Sequence, residues 1–80
     1  MSDISILEEV AAIIRKVTKD NGANITLETS AKDVRNWDSL NNVFIIVEME
    51  KKFKIKFKAS EVQRAKNVGA LIEIINSRRQ

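Results

Sequence analysis

Apolar residues recur at spacings of three and four along most of this 80-residue chain, a period that favours α-helices over strands. Proline is absent and the only glycines are Gly22 and Gly69, so few residues interrupt the pattern. The first helix is predicted from about residue 3 to about residue 19. It carries one apolar stripe, widened at its edge: Leu7, Val10, Ile14 and Val17, with Ala11 and Ile13 beside them.

Both ends of this first helix have sequence signals. Ser5 and Glu8 have the spacing of a capping box, and Ser2 or Asp3 are alternative caps. The turn-forming run that ends at Gly22 is predicted to stop the helix. Because glycine adopts the left-handed conformation without steric cost, Gly22 is the expected C-terminal cap.

Three further helical segments follow a long connection. The connection, from about residue 23 to about residue 37, is expected to be held to the core by three apolar residues: Ile25, Leu27 and Val34. Helices are then predicted over residues 38–53, over a short stretch at 60–65, and after the N-capping residue Asn67. The last helix has its own apolar face: Val68, Leu71, Ile72 and Ile75. At this length, residues 1–80 are expected to form one domain.

The second of these helices carries two apolar stripes on opposite sides. One is predicted to face the core: Ile45, Ile46, Met49 and Phe53. The other is predicted to be exposed, because a bundle this small cannot enclose a helix completely: Leu40, Val43, Phe44 and Val47. An exposed apolar stripe with a polar rim indicates a partner site, and the rim would be Asn41, Glu48, Glu50, Lys51 and Lys52. In the alternative interpretation, the long connection folds over the second stripe and buries it.

The absent residue types exclude several classes of function. The chain has no His, Cys or Tyr, so it lacks the commonest general base, the commonest metal ligand, thiolate metal sites and disulfides. We therefore expect neither an enzyme nor a metal protein, and a carboxylate pair at Asp33 and Asp38 is the weakest of the alternatives. No signal peptide or membrane span is recognisable, so a cytoplasmic location is expected.

The charge balance raises nucleic-acid binding as an alternative. The net charge is +3, but 11 acidic residues are interspersed along the chain. Residues 54–58 alternate lysines with apolar residues and could form a short strand, although no set of aromatic residues suggests a stacking platform. A solvated basic surface is the favoured interpretation, and nucleic acid is not expected as a partner.

The start of the second helix is suited to holding a phosphate. Asp38 is a natural N-cap, and Ser39 then lies in the first turn, where unpaired backbone N–H groups and the helix dipole favour negative charge. A phosphodiester at Ser39 would be well placed. Asp and Ser are also common at helix starts, so these two residues alone do not establish a function.

Asp38-Ser39-Leu40, followed by a helix and by the apolar residues Phe53 and Phe57, resembles the acyl carrier protein family. The resemblance covers nearly the whole chain. It implies an all-α four-helix bundle with a long loop between the first and second helices and a short third helix. It also implies 4′-phosphopantetheine on Ser39, transferred from coenzyme A by a phosphopantetheinyl transferase that reads Asp38.

The resemblance further implies the partners of the chain. Acyl or aminoacyl intermediates would be held as thioesters on the arm, loaded by an activating enzyme and passed to downstream transferases by a monomeric carrier. These enzymes would contact the outward face of the second helix: Leu40, Phe44 and Val47, with Glu48 and Lys51 at the rim.

Two departures from the family pattern concern the choice of pathway. Carriers of fatty acid synthesis are strongly acidic, whereas this chain is basic and has Phe44 where those carriers usually have an acidic residue. Trp37, directly before the motif, resembles stand-alone and assembly-line carriers. These features favour a dedicated pathway. The remaining alternative is an unmodified helical module that binds partners through the same apolar face.

Overall fold

The computed structural model describes residues 3–78, and over this range the chain is a bundle of four α-helices without β-strands. The helices are α1 (Asp3–Thr18), α2 (Ser39–Phe53), α3 (Ala59–Arg64) and α4 (Val68–Arg78), and a single 3₁₀ turn, Ala31–Asp33, lies in the long loop between α1 and α2. The predicted fold class, with its long first loop and short third helix, is confirmed.

One hydrophobic core joins the helices, and α1 packs against both α2 and α4. Its centre is a set of fully buried side chains, one or more from each of these three helices: Val10, Ile14, Ile45, Met49, Val68 and Ile75. All four predicted apolar residues of α4 are buried. In α1 the core face is shifted slightly from the prediction, because Ile6 is buried whereas Leu7 and Val17 are only partly covered.

The N-termini of the helices fit the predictions unevenly. Asn67 caps α4 as expected, since its Oδ1 accepts a hydrogen bond from the Ala70 N–H at 2.9 Å. Ser5 does not cap α1, because the helix already includes Asp3 and Ser5 therefore lies inside it. The alternative cap Ser2 lies outside the described residues.

The C-terminus of α1 differs from the prediction. Lys19, not Gly22, takes the left-handed conformation, with φ of 61°, and no described glycine has a positive φ. The Asp20 N–H then donates to the Arg15 carbonyl at 3.1 Å, which closes the last turn. The helix thus ends before the turn-forming run that was expected to stop it.

The long loop is held by two of the three predicted anchors and by hydrogen bonds. Ile25 and Val34 are buried, but Leu27 is 45% exposed, so the prediction that it reaches the core is wrong. Its backbone is used instead, because the Leu27 carbonyl accepts from the Gly69 N–H at 2.7 Å. The neighbouring Thr29 carbonyl accepts from the Val68 N–H at 2.8 Å. The loop thereby satisfies donors at the start of α4 that a helix cannot satisfy itself.

Residues 54–58 do not form the short strand that was considered. Ile55 is buried and Phe57 is partly buried against the core, so the segment is pinned on alternate residues. The Phe57 N–H donates to Glu50 Oε2 at 2.8 Å. The segment is an extended connection from α2 to α3.

Candidate functional site

The site begins at Asp38, the N-cap of α2. Its backbone is extended, with φ of −105° and ψ of −174°, and its Oδ1 accepts from the Asn41 N–H at 2.8 Å. The Asp38 carbonyl accepts from the Asn42 N–H at 2.8 Å and so starts the helical hydrogen-bond ladder. The predicted capping role of Asp38 is confirmed. Oδ1 of its carboxylate is thereby held by the backbone of the first turn.

Ser39 is the first residue of α2 and is exposed. Its hydroxyl has no hydrogen-bond partner among residues 5–78, and the chain contains no His that could activate it. In the described part of the chain, no side chain is placed to accept the Ser39 proton. Ser39 is accessible to an enzyme that brings its own base.

The first turn of α2 also offers free backbone donors. Within the described part of the chain, the N–H groups of Ser39 and Leu40 have no acceptor, because Asp38 satisfies only those of Asn41 and Asn42. Such N–H groups at the positive end of a 15-residue helix favour an anion. A phosphate ester on the Ser39 oxygen would lie next to them.

A network of side-chain amides fixes the chain that leads into Ser39. Trp37 is buried, and its indole Nε1 donates to Asn42 Oδ1 at 2.9 Å. Asn36 adopts a left-handed conformation, φ 68°; its carbonyl accepts from Asn41 Nδ2 at 2.7 Å. Asn36 Nδ2 in turn donates to the Thr18 carbonyl at 3.2 Å, at the end of α1. Sequence reasoning missed this network, for which the tolerance of Asn for the left-handed region was the only local signal.

Asp33 and Asp38 do not form a catalytic pair. Asp33 Oδ2 accepts from the Ser30 N–H at 2.9 Å and from its hydroxyl at 3.1 Å. The backbone N–H and then the hydroxyl of Ser30 lower the pKa of Asp33 below its ordinary value. Each carboxylate thus closes its own turn, and no group of acidic residues suited to a metal occurs in the described part of the chain.

The apolar residues on the outward side of α2 are exposed, as predicted. The exposed fractions are 67% for Leu40, 56% for Val43, 51% for Phe44 and 38% for Val47. The opposite side of the helix is buried at Ile45, Met49 and Phe53, and Ile46 is partly buried. The alternative, in which the long loop covers the stripe, is wrong, because the loop packs its apolar residues against the core and its carbonyls against α4. We call Leu40, Phe44 and Val47 the outward stripe.

The predicted charged rim is only partly present. Glu48 borders the outward stripe and forms an ion pair with Lys16 of α1, at 3.6 Å. Lys51 is exposed, as expected of a rim residue. Glu50 is not at the rim, because its carboxylate turns to the Phe57 N–H.

A cavity of about 140 Å³ lies beside the first turn of α2. Its walls come from the loop, α2, α3 and the start of α4, and they include Trp37, Asn42, Val62 and Leu71. The buried Trp37 indole and the Asn42 amide, joined by their hydrogen bond, form one of its walls. No described helix is long and apolar enough to cross a membrane.

No family model matches the chain. Two curated relatives named acyl carrier protein are each 28% identical to this chain. The match to the Thermosynechococcus vestitus protein extends over 78 residues and covers 98% of this chain and 96% of the relative. The match to the Helicobacter acinonychis protein extends over 72 residues and covers 90% of this chain and 92% of the relative. The solution NMR structure of a holo acyl carrier protein from Geobacter metallireducens is 40% identical. It superimposes with a TM-score of 0.82 and covers 90% of this chain and 83% of that one.

A small four-helix bundle that presents an exposed serine at a capped helix N-terminus has the architecture of a carrier protein. The 40% identity to the Geobacter protein, over 83% of its length, shows the family to which the chain belongs. It belongs to the acyl carrier protein family, and its role is that of a carrier, not of an enzyme.

Proposed function

We propose that the chain carries 4′-phosphopantetheine on Ser39 and presents acyl or aminoacyl intermediates to partner enzymes. The observation that carries the proposal is the state of Ser39, which is exposed and has no hydrogen-bond partner in the described chain. Ser39 is also the first residue of α2, whose first two N–H groups have no acceptor among the described residues. The holo form of the related Geobacter protein supports a prosthetic group here as well. When bound, the arm supplies a flexible thiol on which cargo is held as a thioester.

Attachment requires an external enzyme. The Ser39 oxygen attacks the phosphorus of coenzyme A that bears the pantetheine, and the phosphoanhydride bond breaks. Adenosine 3′,5′-bisphosphate leaves, and the hydroxyl proton passes to a base of the phosphopantetheinyl transferase. This chain contributes geometry, because Asp38 holds the helix start in place. The N–H groups of Ser39 and Leu40 would favour the negative charge of a phosphodiester on Ser39.

Two features of the sequence bear on the choice of pathway. Phe44 on the outward stripe and the excess of lysines support a dedicated pathway over primary fatty acid synthesis.

The arm attachment is tested by intact mass. The native chain, incubated with coenzyme A and a broad-specificity transferase, is expected to gain one phosphopantetheine. Ser39→Ala is expected to gain none and to keep its helical circular dichroism. Ser60→Ala is the matched control, because Ser60 is also exposed in the first turn of a helix.

Full modification of Ser39→Ala contradicts the assignment. If the native chain gains no mass, the alternative of an unmodified interaction module is favoured instead. The outward stripe is what supports that alternative, because it is exposed whether or not Ser39 is modified.

A further inference from the structure

The carboxylates of α2 and its cap are engaged inside the molecule. Asp38 binds the Asn41 N–H at 2.8 Å, Glu48 pairs with Lys16 at 3.6 Å, and Glu50 binds the Phe57 N–H at 2.8 Å. The ion pair with Lys16 offsets the charge of Glu48, and the carboxylate of Glu50 turns to the Phe57 N–H, away from the outward stripe. On the outward side of α2, Asp38 at the Ser39 end is then the one carboxylate without a cation beside it in the described chain.

A lysine continues the line of the outward stripe. Leu40, Phe44, Val47 and Lys51 follow one another at spacings of four, three and four, which places them along one side of the helix. Lys51 is exposed and has no ion pair among the described residues, whereas the adjacent Lys52 is 3.7 Å from Glu9. The apolar stripe thus ends in an unpaired positive charge.

The segment after α2 also carries exposed lysines. Burial of Ile55 and partial burial of Phe57 leave the alternate side chains facing solvent, and these are all lysines: Lys54, Lys56 and Lys58. The Phe57 N–H bond to Glu50 holds the segment in that register. The exposure of these three lysines is therefore set by the fold.

We propose that the outward stripe, Lys51 and Lys54 form a docking surface for a partner protein with an acidic face. That face would hold an apolar pocket for Phe44 and carboxylates about 10 Å farther along, since Lys51 lies seven helical positions after Phe44. The pocket supplies affinity, and the charges supply orientation and encounter rate. The inference rests on the proposed function, because an enzyme that reaches Ser39 must approach over this stripe.

Two synthetic peptides test the polarity of the surface. Both are amphipathic helices of about 20 residues with the same Leu and Phe face; one is flanked by Glu and the other by Lys. Each is titrated into the ¹⁵N-labelled, unmodified native chain and followed by amide chemical shifts. The Glu peptide is expected to shift Leu40, Phe44, Val47 and Lys51 in a saturable way, and to bind more weakly at high salt.

Charge-reversal variants locate the contact. Lys51→Glu is expected to weaken binding of the Glu peptide roughly threefold to tenfold, because an attractive exposed pair becomes a repulsive one. Lys66→Glu, at an exposed lysine of the α3–α4 connection, is the control and is expected to change it by less than about twofold.

Several results would overturn the inference: equal binding of both peptides, binding of neither, shifts that map elsewhere, or equal effects of the two charge reversals. A random single-stranded oligonucleotide is the third probe. If it displaces the Glu peptide and binds more tightly, the surface is a nucleic-acid site and the inference fails. Because all probes meet the unmodified chain, the outcome is independent of whether Ser39 accepts the arm, which the mass measurement decides separately.

Discussion

At the residue scale, the left-handed positions are occupied by unexpected side chains. Lys19 and Lys54 end α1 and α2 with φ of 61° and 58°, and no described glycine has a positive φ. A left-handed residue other than glycine costs roughly 1 kcal/mol or more. The hydrogen bond that closes α2, from the Ile55 N–H to the Glu50 carbonyl at 3.2 Å, and the burial of Ile55 offset that cost. Such compensation depends on tertiary contacts, which local sequence signals do not contain. The preference of glycine for the left-handed conformation therefore predicted Gly22 as the cap of α1, where the structure has Lys19.

The two glycines give opposite predictions. A Cβ on Gly22 meets nothing within 4 Å, and the residue has an ordinary φ, so Gly22→Ala is expected to stabilise the fold by about 0.4–1 kcal/mol. A Cβ on Gly69 would lie 3.0 Å from the Leu27 carbonyl oxygen, which the Gly69 N–H already binds. Gly69→Ala is expected to push the loop away and destabilise the fold by about 1 kcal/mol.

Urea denaturation of the two glycine variants beside the native chain measures both changes. If Gly69→Ala stabilises the fold as much as Gly22→Ala does, the close contact between loop and helix is not maintained in solution. If Gly22→Ala destabilises the fold, Gly22 has a left-handed conformation in solution, as the sequence predicts.

At the element scale, α3 depends on its neighbours. It has six residues, too few for a helix that is stable alone, and none of them is fully buried. Glu61 connects it to the rest of the bundle: its carboxylate accepts from the Lys58 N–H at 2.9 Å and from the guanidinium of Arg78, the last residue of α4. Arg78 also donates to the Lys56 carbonyl at 3.3 Å. The ends of α3 and α4 are thus linked through one ion pair.

This ion pair predicts a pH dependence. The hydrogen bond from Arg78, and then that from the Lys58 N–H, lower the pKa of Glu61 from 4.5 to about 2. The unfolded chain therefore binds a proton at a higher pH than the folded chain does. The stability that Glu61 contributes is present above pH 4.5 and is lost as the pH falls from 4.5 towards 2.

Glu61→Gln is expected to lower the melting temperature at neutral pH, and the difference from the native chain should shrink below pH 4.5. Glu73→Gln, at an exposed residue of α4, is the control and should change little at any pH. A Glu61→Gln difference that stays constant from pH 7 down to about pH 2.5 would show that the carboxylate charge does not hold α3.

Local signals predicted the helices better than the loop. The caps Asp38 and Asn67 were predictable because each acts on N–H groups within its own turn. The exposure of Leu27 was not, because it follows from backbone bonds to α4, far along the chain. The amides that hold the approach to Ser39 were missed for the same reason, since Asn36 reaches the end of α1.

At the scale of the whole molecule, the bundle is too small to cover both sides of α2. Helix α1 packs against one side, which belongs to the shared core, whereas the apolar residues on the other side are exposed in the described chain. The sequence predicted this division because an apolar residue every three or four positions on both sides of one helix cannot be enclosed by three neighbours, one of them short. The uncovered side is therefore open to a partner, as the proposed docking surface requires.

Two phenylalanines on the two sides of α2 test this division in a matched pair. Phe53 is 8% exposed and packs in the core, whereas Phe44 is 51% exposed. Phe53→Ala is expected to cost roughly 3–5 kcal/mol, much of the total stability of a chain this small. Phe44→Ala removes the same atoms from a solvated position and is expected to change the free energy of unfolding by less than about 0.5 kcal/mol.

Thermal melts of both phenylalanine variants, followed by circular dichroism, measure the predicted changes in stability. The predicted change in function is measured as the rate at which a phosphopantetheinyl transferase modifies each folded variant. Phe44→Ala should slow modification without lowering the melting temperature, because a central exposed aromatic residue in a docking surface often contributes about 2 kcal/mol to binding. If Phe44→Ala unfolds the chain, the outward stripe is buried in solution and the docking surface lies elsewhere. If it changes neither melting temperature nor rate, the transferase does not use Phe44, and the charged residues Glu48 and Lys51 become the candidates for its recognition.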